Sequence, residues 1–108
     1  MNDKSPISAE SATTAHRKSI NLRLGRLLST PGAIAAMAKT GQDPLELLNR
    51  HRSGDWGDID AQDWAANDQA VIQDERILSV YTLKDGVRLW IITEADRAAT
   101  TLLLPNEY

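Results

Sequence analysis

The chain has 108 residues, of which 42% are hydrophobic and 25% charged, which is the size and composition of one ordinary globular domain. It contains no cysteine, which excludes disulfides, thiolate metal sites and cysteine nucleophiles. No apolar run approaches the ~18 residues that a membrane span needs, and the N-terminus lacks the apolar stretch of a secretory leader, so we expect a cytoplasmic protein that makes no membrane contact. The net charge of −3 is unevenly distributed, since residues 1–52 carry a net +4 and residues 53–108 a net −7.

The first 18 residues are rich in serine, threonine, alanine and charge. Apart from Met1, Ile7 is their one large aliphatic residue, so they cannot bury enough apolar surface to offset the entropy of ordering. The composition therefore predicts a flexible arm over residues 1–18 and a single folded domain over residues 19–108. Over residues 19–28 apolar residues first alternate and then occur as a pair. This pattern is open to a short strand but is interpreted here as a helix start or an irregular lead-in.

Three start signals predict three helices, each beginning after a side chain that can accept an amide hydrogen from the first helical turn. These signals are Thr30-Pro31, Asp43-Pro44 and Asp60, and the first two place proline where its missing N–H costs nothing. Gly41 and Gly54 are the corresponding stop signals. Apolar residues at helical spacing predict the buried face of each helix. They are Ile34, Met37 and Ala38, then Leu45, Leu47 and Leu48, then Trp64, Val71 and Ile72.

From Ile77 onward the apolar pattern changes to a period of two, which predicts strands. Asp85-Gly86 lies between two such segments and is typical of a hairpin turn, because both residues tolerate positive φ. Three strands are predicted, over residues 77–83, 87–93 and 100–104, the last of them stopped by Pro105. The expected fold is therefore α+β, with about three N-terminal helices packed on a three-stranded antiparallel β-meander.

The middle strand contains four consecutive apolar residues, Leu89 to Ile92. Such a run is typical of a strand that is buried on both faces. The second face then needs a cover, either the first segment of this chain or a second copy of it. A homodimer is therefore one expected arrangement.

Residues 54–75 contain seven acidic residues and no lysine or arginine. Because an acid-only surface favours a cationic partner, we predict a non-enzymatic interaction protein that binds a basic surface of another protein. The predicted partner-binding residues are Asp55, Trp56, Asp58, Asp60, Asp63 and Asp68. In this interpretation Trp56 is an exposed aromatic anchor. The structural alternative is that Trp56 folds onto Trp64 in the core while Asp60 and Asp63 cap a helix and complement its dipole.

A calcium or magnesium loop, and with it a small cation-dependent hydrolase, is a further interpretation of the same aspartates, since hard cations need several converging oxygens. An EF-hand beginning at Asp58 fails twice, because Asp63 stands where glycine is needed and Gln69 where a bidentate glutamate is needed. His51, oriented by Asp55, is the general base that such a hydrolase would use. No nucleophile or phosphate-binding motif accompanies it, and a histidine at a helix end more often complements the dipole from the surface. We therefore predict no catalytic residue, no metal site and no cofactor.

Nucleic-acid binding is the other alternative, through a helix-turn-helix formed by the first two predicted helices. Its second helix would present Arg50 and Arg52, and the predicted arm would add phosphate contacts from Arg17 and Lys18. The acidic segment that follows repels phosphate. This favours a basic protein over nucleic acid as the partner.

Four segments together resemble a family of small uncharacterised bacterial proteins found on plasmids and other mobile elements. They are Ser53-Gly-Asp-Trp-Gly-Asp, Asp63-Trp-Ala-Ala-Asn-Asp, Leu89-Trp-Ile-Ile-Thr-Glu-Ala-Asp-Arg and Thr100-Thr-Leu-Leu-Leu-Pro-Asn-Glu-Tyr, and the resemblance covers about residues 24–108. Such proteins are often called plasmid-related, and some carry the label of a type I restriction endonuclease subunit M. The chain lacks the glycine-rich cofactor turn and the Asn/Asp-Pro-Pro-aromatic loop of an adenine methyltransferase, so no methyltransferase residue is carried over. The resemblance implies an accessory role for a mobile element, in anti-defence or in regulation.

Overall fold

The computed structural model describes residues 20–108, so the predicted arm over residues 1–18 lies outside the described residues. The helices are α1 (Pro31–Thr40), α2 (Pro44–Arg52) and α3 (Ala61–Gln73), the strands are β1 (Arg26–Ser29), β2 (Ile77–Thr82), β3 (Arg88–Thr93) and β4 (Ala99–Leu103), and a 3-10 helix spans Pro105–Glu107. This confirms the α+β class. No helix within residues 20–108 has the length and apolar character needed to cross a membrane.

Each helix begins at its predicted capping residue. The three capping side chains accept a backbone N–H of the first helical turn at 2.8–3.1 Å. They are Thr30, Asp43 and Asp60. Because these oxygens satisfy N–H groups that have no partner inside the helix, the starts can be located from local sequence. Gly41 ends α1 in the left-handed region, at φ 69°.

The sheet is mixed and has four strands in the order β1-β4-β3-β2. Strands β2, β3 and β4 form the predicted antiparallel meander, but β1 adds a fourth strand that runs parallel to β4. The predicted sheet therefore lacks one strand. The predicted helix start or irregular lead-in over residues 19–28 is wrong from Arg26 onward, where β1 begins. All four residues of β1 are exposed, so no alternation of burial marks it. Its pairing depends on a strand about 70 residues away.

The core lies between one face of the sheet and the helices α1 and α2. It is built from buried residues of both layers, which are Ala33, Met37, Leu47, Leu48, Tyr81, Leu83, Leu89, Ile91 and Leu102. Four residues predicted to be buried are instead exposed: Ile34 (56%), Leu45 (61%) and Ile72 (76%), and also Ala38. In α2 the buried residues are Leu47, Leu48 and His51, and not Leu45. At 3.6 residues per turn, Leu45 lies on a different face of the helix from Leu47 and His51.

Strand β3 is buried on both faces, as predicted, since Ile91 is fully buried and Ile92 is 3% exposed. Part of the cover over the second face is the C-terminal residue of the chain. The Tyr108 ring meets the Trp90 ring edge-on at 5.7 Å, and the Arg76 guanidinium lies 4.9 Å from the centre of the Tyr108 ring. The homodimer stays a prediction.

Candidate functional site

The acidic segment lies along the outer edge of β2. The amide of Val80 donates to Trp56 O at 3.1 Å, and the amide of Asp58 donates to Val80 O at 2.6 Å. The Asp58 carboxylate then accepts the amide of Thr82 at 3.1 Å. These bonds make the loop a short addition to the sheet, which fixes the position of the aspartates on either side of it.

The same edge is closed further along by Asn67 of α3. Its side-chain amide donates to Leu78 O at 2.8 Å, and its oxygen accepts the amide of Leu78 at 3.5 Å. An Asn side chain can supply one donor and one acceptor to a strand, as a neighbouring strand would. The backbone of β2 from Leu78 to Thr82 is therefore covered by its own chain, which protects an edge that would otherwise pair with other strands.

Trp56 is fully buried, so its interpretation as an exposed anchor is wrong. Its indole N–H donates to the Asp68 carboxylate at 2.9 Å, and its ring meets the ring of His51 edge-on at 5.7 Å. Trp64 packs against the same small cluster, which also holds Leu22, Ala70 and Ile77. The structural alternative considered for Trp56 is thus the observed one, because Asp68 gives the buried indole the partner that it needs.

Asp55 is neutralised within the chain. Its carboxylate accepts the Arg50 guanidinium at 2.7 Å, and it also accepts the amide of Gly57 at 3.2 Å. The hydrogen bond to Asp55 raises the pKa of Arg50. The guanidinium lies 4.7 Å from the centre of the Tyr81 ring, whose hydroxyl donates to Asp55 O at 2.7 Å. Arg50, predicted as a nucleic-acid contact of the second helix, is therefore already held by a carboxylate and an aromatic face.

Three of the predicted partner-binding aspartates are exposed near the start of α3, namely Asp58, Asp60 and Asp63. Asp58 holds the β2 edge and Asp60 caps the helix, while the Asp63 carboxylate has no partner among the described residues. No three His, Asp or Glu side chains of residues 20–108 come together in a way that could hold a metal ion. The exposed aspartates thus form an acidic surface, defined here as Asp58, Asp60 and Asp63, rather than a converging cation loop.

His51 lies in the centre of the fold, and its interpretation as a surface residue at a helix end is wrong. Nδ1 lies 2.6 Å from Ser79 Oγ and Nε2 lies 2.8 Å from Thr93 Oγ1. Both ring nitrogens are therefore used, and the Asp55 carboxylate is engaged with Arg50 instead. The geometry does not bring together the predicted His51–Asp55 pair of a general base and its orienting group.

The hydrogen bonds around His51 have one possible direction. The Thr100 hydroxyl donates to Leu24 O, a carbonyl that can only accept, at 2.7 Å. The Thr100 oxygen must then accept from the Thr93 hydroxyl, 2.7 Å away, and Thr93 in turn accepts from His51 Nε2–H. Since a hydroxyl has a single hydrogen to donate, this chain of bonds places a hydrogen on Nε2, and in the neutral ring Nδ1 accepts from Ser79. Burial and the positive charge of Arg97 lower the pKa of His51 to about 3.

Sequence reasoning missed Arg97, whose guanidinium is buried beneath the end of α3. It donates to Ala70 O in the last turn of α3 at 2.9 Å and to Glu75 O, two residues beyond the helix, at 2.7 Å. The Asp74 carboxylate lies 4.0 Å away. An arginine in a polar turn, followed by a strand, gives no local indication that it will be buried. Only the return of the chain beside α3 brings Arg97 to these carbonyls.

The second predicted nucleic-acid contact of that helix, Arg52, lines an open groove of about 450 Å³ together with Arg23 and Leu27. Its guanidinium donates to the side-chain oxygen of Asn49 at 2.7 Å. Arg17 and Lys18 lie outside the described residues. Comparison with protein-family models, curated proteins and solved structures finds no match for this chain.

Proposed function

We propose that this protein is a non-enzymatic binding protein whose acidic surface, formed by Asp58, Asp60 and Asp63, binds a basic surface of another protein. The observation that carries the proposal is the exposure of these three carboxylates in a segment without a single lysine or arginine. Complementary charge of this kind increases association rate and selectivity. The contacts that fix the neighbouring loop on β2 reduce the ordering cost of binding.

The other aspartates named from the sequence have structural partners. Asp55 is paired with Arg50, and Asp68 accepts the indole N–H of Trp56. In this proposal they position the acidic surface without contributing its charge. The two alternatives have less support, because the hydrolase would use a histidine that is buried and the DNA-binding protein would use Arg50, which is held by Asp55. The resemblance to mobile-element proteins makes anti-defence or regulation the proposed setting.

The proposal is tested by removing charge without removing hydrogen bonds. Asparagine at the positions of the acidic surface (D58N, D60N and D63N together) keeps a side-chain oxygen for Thr82 N and for the α3 cap, since Asn is as good an N-cap as Asp. The matched control is the triple variant D43N, D85N and D96N. Each of its aspartates accepts a backbone N–H on the surface, as Asp58 and Asp60 do.

The measurement is affinity purification of tagged protein from nuclease-treated host lysate, followed by titration of the purified partner. We expect a basic protein to bind the wild type and the control, and to lose most of its affinity for the acidic-surface triple variant or at high salt. Equal loss in both triple variants would show an effect of net charge alone and refute a localised surface. Association that nuclease abolishes would favour the DNA-binding alternative.

A further inference from the structure

One edge of the sheet is covered by other residues of the chain, and the other edge is open within residues 20–108. The β2 edge is covered by residues 56–58 and Asn67, whereas the outer edge of β1 has no paired strand within residues 20–108. On its inner side, Arg26 N donates to Ala98 O at 2.9 Å and Thr30 N to Leu102 O at 3.0 Å. Because alternate residues of a strand direct their N–H and C=O to opposite sides, Leu27 and Ser29 present theirs outward.

A groove lies beside this open edge. It is lined by residues 21–25 together with Leu27 and Arg52, and its volume is about 450 Å³. A hydrogen bond from Leu22 N to Arg52 O, 2.9 Å long, holds residues 21–25 to the end of α2. Leu27 is 51% exposed, so the groove offers an apolar contact as well as two arginines, Arg23 and Arg52.

The arginines at this edge have no acidic partner among residues 20–108. Arg50 and Arg76 each form an ion pair with a carboxylate, but Arg23, Arg26 and Arg52 form none with the described residues. Within the part of the chain that the structure describes, three arginines without a carboxylate partner therefore lie at or near an edge whose outward backbone groups have no paired strand. This is a complete set of features for recognising an extended chain that carries negative charge.

We propose that the β1 edge binds an extended peptide segment of another protein, which adds a strand beside β1 and directs acidic side chains into the groove toward Arg23 and Arg52. Backbone bonds to Leu27 and Ser29 supply the register, and Leu27 contacts an apolar side chain of the peptide. A second copy of this chain fits less well, because pairing β1 with β1 would bring the unpaired arginines of both copies together. The segment bound here is acidic, whereas the partner of the acidic surface is basic, so the two sites are independent.

The probe is a short fluorescein-labelled peptide that alternates glutamate and valine, with a version that replaces glutamate by lysine as its control. We expect the glutamate peptide to bind the full chain and the lysine peptide not to bind. The double variant R23E/R52E should weaken binding about tenfold or more, since two exposed ion pairs are lost and the reversed charges repel the peptide. The matched control is R88E, which reverses an exposed arginine at the start of β3.

The backbone component is tested separately by S29P, which removes an outward N–H and leaves the inward bonds of Arg26 and Thr30 in place, with S29A as its control. We expect S29P to fold and to lose the peptide, while S29A keeps it. In hydrogen exchange, the amides of Leu27 and Ser29 should exchange fast in the free protein and slowly in the complex. Should S29P not fold, this exchange measurement alone decides.

Several outcomes would overturn the proposal. One is a glutamate peptide that does not bind, and another is binding that R88E weakens as much as R23E/R52E. A stable dimer that protects the Leu27 and Ser29 amides without peptide would assign the edge to a second copy. Binding of a single-stranded oligonucleotide that R23E/R52E weakens, with no binding of the glutamate peptide, would assign the arginines to phosphate.

Discussion

Lowering the pH from 7 to 5 should destabilise the fold through one residue, His51. Its pKa is about 3 in the folded protein and 6.5 as a free side chain. Between these two pH values His51 is protonated in the unfolded chain and neutral in the folded one. Stability from this group is complete above pH 6.5 and is lost as the pH falls toward 3. With 1.36 kcal/mol for each pH unit below 6.5, the free energy of unfolding should fall by about 2 kcal/mol at pH 5.

The assay is urea unfolding at pH 7, 6 and 5, a range above the ordinary pKa values of carboxylates. His51→Gln keeps an amide N–H to donate to Thr93 but cannot titrate, so its stability should be nearly the same at pH 5 and 7. In the wild type, NMR of the ring nitrogens should show the Nε2–H tautomer and no titration of His51 across this range. Equal stability of the wild type at pH 5 and 7, or a His51 resonance that titrates near 6.5, would refute the reasoning.

Three further substitutions test the contacts around the acidic segment by urea unfolding at pH 7. Gly57→Ala should lower the free energy of unfolding by about 3 kcal/mol, because φ is positive there and the added Cβ would lie 2.0 Å from a backbone oxygen of β2. Its control is Gly86→Ala, which also has positive φ but open space around it and should lower it by only ~1 kcal/mol. Equal losses would contradict the close approach at Gly57. Asn67→Ala should cost ~2–3 kcal/mol by leaving the Leu78 backbone groups unpaired and should promote aggregation in light scattering, whereas a stable monomer would show that the β2 edge needs no cover. Arg97→Lys should cost ~2 kcal/mol, since one ammonium replaces a fork that reaches two carbonyls, and a neutral result would mean that water satisfies them.

Local signals explain which parts of the fold could be predicted. The caps at Thr30, Asp43 and Asp60, and the hairpin turn at Asp85-Gly86, depend on residues within four positions of one another. Each was therefore found from the sequence. The β1 strand could not be found in this way, because its register is set by β4 and none of its side chains is buried.

The candidate site shows the same division between local and distant contacts. The exposed aspartates could be identified from composition alone, but composition does not tell a capping carboxylate from a free one. His51 was misplaced because its burial is made favourable by three hydroxyl groups on different strands. Trp56 was misplaced in one interpretation because its indole partner, Asp68, lies twelve residues away on another element.

The parallel pairing of β1 with β4 also determines when this protein can fold during its synthesis. Arg26 pairs in register with Ala99, so the first strand leaves the ribosome roughly 4–15 s before its neighbour at ~5–20 residues per second. Strand β4 lies inside the sheet, between β1 and β3, so no partial sheet made earlier in translation can include β1. Throughout that interval Leu27 and Leu28 belong to a nascent chain without a sheet to join. Chaperones that bind short apolar segments would therefore find the β1 sequence unpaired throughout this interval, before the domain has closed.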